Sequence, residues 1–408
     1  MFIKATRFSV LFSGVCALIL SMGIARYSLT PMIPHMQAQL DLTEGGAGLL
    51  AGLNYWGYLT GLFIVWLVGD LRVKDFFYRY GLFVAALATA VMAAHENPVV
   101  WYASRFFTGV ASATGFMLGA GLILNWLHHN GYRQELGIHF SGLGLGIIVS
   151  ALVVDLTGLD SLFAVNWRLQ WVILAAVGFI LFIPAVGLLP MPKADEIEMS
   201  RMDDLGKQSR LPSTKWLWLM SAAYFCAGFS NTLNVTFTSL ITELQPLEGF
   251  GERVWLLVGV TAAIAPFIWD RAARRFGRLN SLKVAFAVGV LSNTLLASGY
   301  SLYTTILSAS LFGFAFMGIV SLTLSTVGRL YGLKASQVMA QLTLGYCIAQ
   351  ILSPVMSGFI AEATGSFRLP LYIVSGIMLA GMICLLMLRN EHEELRHFHS
   401  NHLTSDRP

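Results

Sequence analysis

Apolar runs of about 20 residues recur from one end of the chain to the other, each long enough to cross roughly 30 Å of hydrocarbon as a helix. Short polar stretches separate them. The pattern predicts transmembrane helices over 8–35, 46–69, 78–95, 99–126, 136–156 and 169–190, then over 215–241, 254–270, 281–300, 302–328, 336–361 and 370–388. Residues 191–214 interrupt the series with Lys193, Asp195, Glu196, Glu198, Arg201, Asp203, Asp204, Lys207, Arg210 and two prolines, a composition the bilayer interior excludes. The reading is therefore an all-α membrane protein: an N-terminal six-helix half (1–190), a linker (191–214), a C-terminal six-helix half (215–389) and a polar tail (390–408).

Composition agrees, with 56% hydrophobic and 12% charged residues, against about 25% charged in a soluble domain. A net charge of +4 raises the question of nucleic acid, but the basic residues are scattered through short loops and build no binding face. They read better as topology signals. With the N-terminus inside, all of the 26 Lys and Arg residues except Arg26, Arg105, Arg168, Arg253 and Arg368 fall in cytoplasmic segments, which puts both termini in the cytoplasm. The first run follows Lys4 and Arg7 as a signal peptide would, yet it has no small-residue cleavage site and continues through Pro31 and Pro34, so it is expected to stay as a helix. Cys16, Cys226, Cys347 and Cys384 lie in apolar runs with no metal spacing and read as packing residues.

The halves resemble each other, as in transporters built from repeats. Asp155-Leu-Thr-Gly158 recurs as Glu362-Ala-Thr-Gly365, Trp167-Arg-Leu-Gln170 recurs as Phe367-Arg-Leu-Pro370, and Asp70 and Asp270 each end a helix.

Asp270-Arg271-Ala-Ala-Arg274-Arg275-Phe-Gly277-Arg278 resembles the cytoplasmic D-R-x-G-R loop of the major facilitator superfamily; Gly69-Asp70-Leu-Arg72-Val-Lys74 is its degenerate counterpart. Arg105-Phe-Phe-Thr-Gly109-Val-Ala-Ser-Ala113 resembles the superfamily's fourth-helix R-x-x-x-G motif. Gly23-Ile-Ala-Arg26-Tyr27-Ser-Leu-Thr-Pro31-Met-Ile-Pro34, Gly52-Leu-Asn54-Tyr55-Trp-Gly57-Tyr58-Leu-Thr-Gly61 and the stretch from Gln350 to Pro354 are similar to the YbfB/YjiJ branch. The resemblance implies twelve helices in two pseudo-symmetric bundles and secondary active transport by alternating access, with no substrate specified. It also links Arg105 to gating or proton coupling. Helix five lacks the glycine-proline motif of many drug antiporters: Gly137, Gly142, Gly144 and Gly146 occur there without a proline.

Arg26 is the most informative residue. It lies about 18 residues into the first helix, roughly 27 Å at 1.5 Å per residue, too deep for easy snorkelling. It reads either as a contact for a substrate anion or as a guanidinium held by carbonyls that Pro31 and Pro34 free. Arg105 has the alternative of an interface arginine beside Trp101 and Tyr102. No acidic residue falls at mid-depth; Asp155 and Glu362 come nearest, and read as partners of loop groups, Arg168 and Arg368, with proton coupling as the alternative. A cavity with arginine and no carboxylate favours an organic anion.

Tyr27, Asn54, Tyr55 and Tyr58, with Tyr224, Asn231, Asn234, Gln341, Tyr346 and Gln350, are polar side chains that line the path or bond between helices. Asp70 and Asp270, near Arg72, Arg271, Arg274 and Arg278, read as charge pairs that close the inward gate, or else the arginines act only as topology signals. His139 reads as a neutral hydrogen-bonding group, with proton carriage as the alternative. His392, His397, His399 and His402 match no metal site, and no cofactor or enzyme chemistry is expected. The expected partners are a small-molecule substrate, protons if transport is coupled to them, and membrane lipid, for a chain acting as a monomer without nucleic acid. Proton-driven efflux of hydrophobic compounds and a non-transporting membrane sensor are the competing functions.

Overall fold

The computed structural model describes residues 5–40, 42, 44–133, 136–157, 165–193, 212–243, 251–299, 301–331 and 334–388. The first crossing is made of α1 (Arg7–Leu18), a π-helical segment (Ile19–Tyr27) and α2 (Leu29–Gln39). There follow α3 (Glu44–Leu67), α4 (Leu71–Ala94), α5 (Pro98–His129), α6 (Gly137–Thr157) and α7 (Trp167–Gly187). The second half has α8 (Thr214–Glu243), α9 (Gly251–Phe276), α10 (Arg278–Ser298), α11 (Leu302–Tyr331), α12 (Ala335–Thr364) and α13 (Arg368–Leu386). No strand occurs among the described residues.

Eleven of these twelve crossings are apolar and long enough to span a membrane. The exception, α8, has 30 residues but carries Ser230, Asn231, Thr232 and Asn234 along its buried length. Two boundaries depart from expectation. Asp70 does not end the second helix: its carboxylate accepts from the backbone of Arg72 at 2.8 Å and Val73 at 3.3 Å, an N-cap that starts α4 seven residues ahead of the expected 78. At the other site, α9 runs through Asp270 to Phe276, so Arg271, Arg274 and Arg275 are helical and not in a loop. Most of the linker and all of the histidine tail lie outside the described residues.

The two halves pack alike. In the first, α5 lies against α3 and α4, α4 against α7, and α1 with the π segment against α6. In the second, α11 lies against α9 and α10, α10 against α13, and α8 against α12. The correspondence reaches individual hydrogen bonds: Ser104 Oγ donates to the Ala88 carbonyl and Ser308 Oγ to that of Ser292, both bonds spanning 16 residues and both reaching back to the preceding helix.

The halves meet where α6 lies on α9 and α3 on α12. Gly144 has its backbone against Ala262 and Ala263, so any side chain there would collide with main chain. On the linker side, Gln337 Nε2 donates to the Trp66 carbonyl at 3.2 Å, Gly121 meets Ser336, and Gly137 faces the Asp270 carboxylate. The bundle is thus zipped together at its linker end.

Candidate functional site

Pro31 and Pro34 have no amide hydrogen to offer the carbonyls one turn back, and the chain ahead of them winds as a π-helix, a form concentrated at functional sites. The loosened carbonyls are met by side chains. Arg105 of α5 donates through Nη1 to the Ala25 carbonyl at 2.8 Å and through Nη2 to the Arg26 carbonyl at 3.1 Å. Ser112 donates to the Ser21 carbonyl, and Ser28 to that of Ile24. Arg105 is 1% exposed, so it is neither at the interface nor snorkelling. The role foreseen for Arg26, binding freed carbonyls, belongs to Arg105, and one of its partners is the Arg26 carbonyl itself.

The Arg26 side chain is therefore free for other contacts. It is 6% exposed. Its Cζ stands 3.9 Å from the Tyr58 ring centre, 5.0 Å from Tyr55 and 5.9 Å from Tyr27. Nη2 donates to Gln350 Oε1 of α12 at 3.4 Å, and Nη1 is buried without a hydrogen-bond partner. Among the described residues no carboxylate pairs with it. Aromatic faces compensate a desolvated cation by about 2 kcal/mol, short of the several kcal/mol that burying an ion costs. Tyr224 and Tyr346, stacked at 4.5 Å between ring centres, continue the polar-aromatic group one turn along α12 from Gln350.

Arg26, Tyr27, Tyr58 and Gln350 thus come together. Asn54, Asn234 and Gln341 lie elsewhere, and Asn231 sits beside Tyr346. Asn54 turns away, donating to the Arg105 carbonyl at 3.1 Å and to Thr108 Oγ1 at 3.0 Å, and so ties α3 to α5. Asn234 bonds Asn293 Oδ1 of α10 at 2.7 Å, inside the second half. Asn231 is buried with its Oδ1 unpartnered and lines a cavity of about 10 Å³ with Tyr346, Phe312 and Phe316. Gln341 stands on the outer face of α12 with Ile348, Leu352, Val355 and Phe359; nine residues before Gln350 is about two and a half turns, which is the opposite side of the helix.

Asp155 is exposed near the end of α6, and Arg168 pairs with Glu96 at 2.8 Å instead of with Asp155. Glu362 and Arg368 both line a cavity of about 540 Å³ at the end of the second half away from the linker. Arg271 is exposed on α9. His139 is fully buried against Phe140, with Nδ1 beside the backbone of Gly14. The sequence reading passed over Asp75 and Arg79, paired at 2.8 Å, with Arg79 also donating to the Val186 and Leu189 carbonyls at the end of α7. Their spacing of four on a helix was the available signal. Among the described residues no group of side chains has metal-binding geometry.

Two like six-helix bundles enclose this buried polar group, and a family match over most of the chain makes the protein a multi-pass transporter of the major facilitator superfamily, not an enzyme. Within it, residues 18–388 match the family described as "Uncharacterised MFS-type transporter YbfB", and the chain belongs to that family. Curated relatives include the "Probable sulfoacetate transporter SauU" of Cupriavidus necator, 22% identical over 92% of each chain, and a "Quinolone resistance transporter" of Acinetobacter baumannii, 25% identical over 86% of each. Among solved structures, the human organic anion transporter MFSD10 (TETRAN) superposes with a TM-score of 0.74 at 16% identity, over 94% of this chain and all of that one.

Proposed function

We propose that this protein carries a small organic anion across the bacterial inner membrane by alternating access, with both termini in the cytoplasm. The observation that carries the reading is Arg26: a buried guanidinium with an unpartnered nitrogen, one long hydrogen bond and tyrosine faces around it. A carboxylate or sulfonate supplies the missing countercharge in fork geometry. With the linker end cytoplasmic, the closed end faces inward and an anion reaches Arg26 from outside, between halves that rock about the site. The sulfoacetate relative is consistent with such a cargo. Asp270 against the start of α6 and Gln337 against Trp66 close the inner end in this scheme.

A second reading is efflux of hydrophobic compounds, favoured by the tyrosine-rich walls and the quinolone-resistance relative. Proteoliposome flux of sulfoacetate, other carboxylates and a quinolone, measured for the parent and Arg26→Gln with and without a proton gradient, separates the two. Anion flux that Arg26→Gln abolishes supports the anion reading. Quinolone flux that is indifferent to Arg26 supports efflux.

A further inference from the structure

The Arg26 to Gln350 hydrogen bond joins the two halves at the candidate site, because Arg26 belongs to the π segment and Gln350 to α12. Both side chains are nearly sealed from solvent, at 6% and 5% exposure. At 3.4 Å the bond is stretched beyond the roughly 2.7–3.2 Å usual for N–H to O. Gln350 Oε1 is a neutral acceptor, and an ionised oxygen adds a charge–charge attraction that it lacks. The edge formed by Nη1 and Nη2 presents two parallel N–H groups that a two-oxygen anion can take together. Nη1 makes no hydrogen bond there, and Nη2 donates to Gln350.

We propose that Gln350 is a placeholder ligand, occupying Arg26 in the empty transporter and yielding that place to the arriving anion. A glutamine amide carries an acceptor oxygen and a donor NH2 on neighbouring atoms. Rotation about its terminal torsion, which is broad and roughly two-fold, exchanges them without backbone movement. Once displaced, Gln350 therefore turns its Nε2 hydrogens toward the anion. The anion is then held by Arg26 from one half and by Gln350 from the other, so occupancy and the relation of the halves become one equilibrium. Chemistry at position 350 is narrowly set by this role. A carboxylate would pair with Arg26 permanently, and an apolar side chain could neither hold the empty site nor bind the anion.

The inference rests on the anion reading, and the test separates their failures. Binding of sulfoacetate and a panel of monocarboxylates is measured by calorimetry and thermal shift on the purified full-length protein, for the parent, Gln350→Glu, Gln350→Lys and Arg26→Gln. Gln350→Glu is expected to weaken anion binding by about tenfold or more and to melt above the parent without ligand, since its carboxylate neutralises Arg26. Gln350→Lys, which cannot hold Arg26 in the empty site, is expected to melt below the parent without ligand and to bind anions at least tenfold more tightly than Gln350→Glu, because it donates to the anion and does not compete for Arg26. Equal weakening by both variants would assign Gln350 a purely structural role and overturn the proposal, as would a Gln350→Glu protein that binds like the parent or melts below it. If Arg26→Gln binds the anions as well as the parent, or the parent binds none, the anion reading itself falls and the placeholder role falls with it.

Discussion

Arg105 holds Arg26 by its backbone: Nη2 of the one donates to the main-chain carbonyl of the other at 3.1 Å, while Nη1 takes the carbonyl of Ala25. The two buried arginines thus have different work, one shaping the helix and the other facing the centre. Arg105→Lys is expected to impair both. A single ammonium on a flexible stem does not reproduce a rigid fork bridging two carbonyls, and each charged hydrogen bond lost costs about 1.5–3 kcal/mol. Thermal melting of the detergent-purified variant should fall by several degrees, and anion affinity should drop about tenfold as Arg26 shifts. Melting and affinity both equal to the parent would show that the π segment holds its shape unaided.

The Tyr58 ring lies under the Arg26 guanidinium. Tyr58→Phe keeps the aromatic face and should retain most anion affinity, whereas Tyr58→Leu removes a contact worth about 0.5–2 kcal/mol and lets Arg26 drift. Titration of both variants by calorimetry checks the order. Equal losses would point to the hydroxyl and not to the ring.

Gly144 touches the main chain of Ala262 and Ala263 across the boundary between halves. Gly144→Val should wedge α6 from α9 and disfavour the arrangement that is closed at the linker end. Cysteines placed at Trp66 and Gln337, whose Nε2 reaches the Trp66 carbonyl at 3.2 Å, should be bridged by a short bifunctional maleimide in the parent background and several-fold more slowly beside Gly144→Val. Unchanged cross-linking would mean that α9 yields locally.

Asn293 lies away from Arg26, bonded to Asn234 and to Ser230 Oγ at 2.8 Å. Asn293→Leu is expected to destabilise the second half by about 0.6–1.7 kcal/mol, the range for hydrogen bonds between membrane helices. Denaturant unfolding should register that loss while anion affinity stays near the parent value. A large drop in affinity would tie the polar core of the second half to the site.

The architecture was legible because lipid imposes one rule on every crossing: backbone groups must bond internally and side chains must be apolar. Eleven helices met that rule openly, and α8 hid its polar residues by burying them against α10 and α12. The depth of Arg26 also marked it as a residue to explain. Orientation about each helix axis was less accessible. Gln341 and Gln350 looked equivalent as polar residues in one run, although helical geometry already sets them on opposite faces. For Asn54 and Asn234 the sequence left open whether they line the path or bond between helices, and their amides bond to neighbouring helices, a choice settled by partners about 50 to 60 residues away in the chain. The π segment was beyond reach for the same reason, since it depends on donors from α5 that only the folded bundle brings near.

The glycines of α6 divide the molecule by how freely it can change. Gly146 lies backbone to backbone on Gly23, three residues from Arg26, and Gly144 lies likewise on α9, so neither position can accept even a methyl group without displacing main chain. The contacts around Arg26 are made by side chains instead, from the Tyr58 ring to the stacked Tyr224 and Tyr346. One added methyl group on the α6 seams would therefore move whole helices, whereas a change of the same size at the centre would first alter a single side-chain contact.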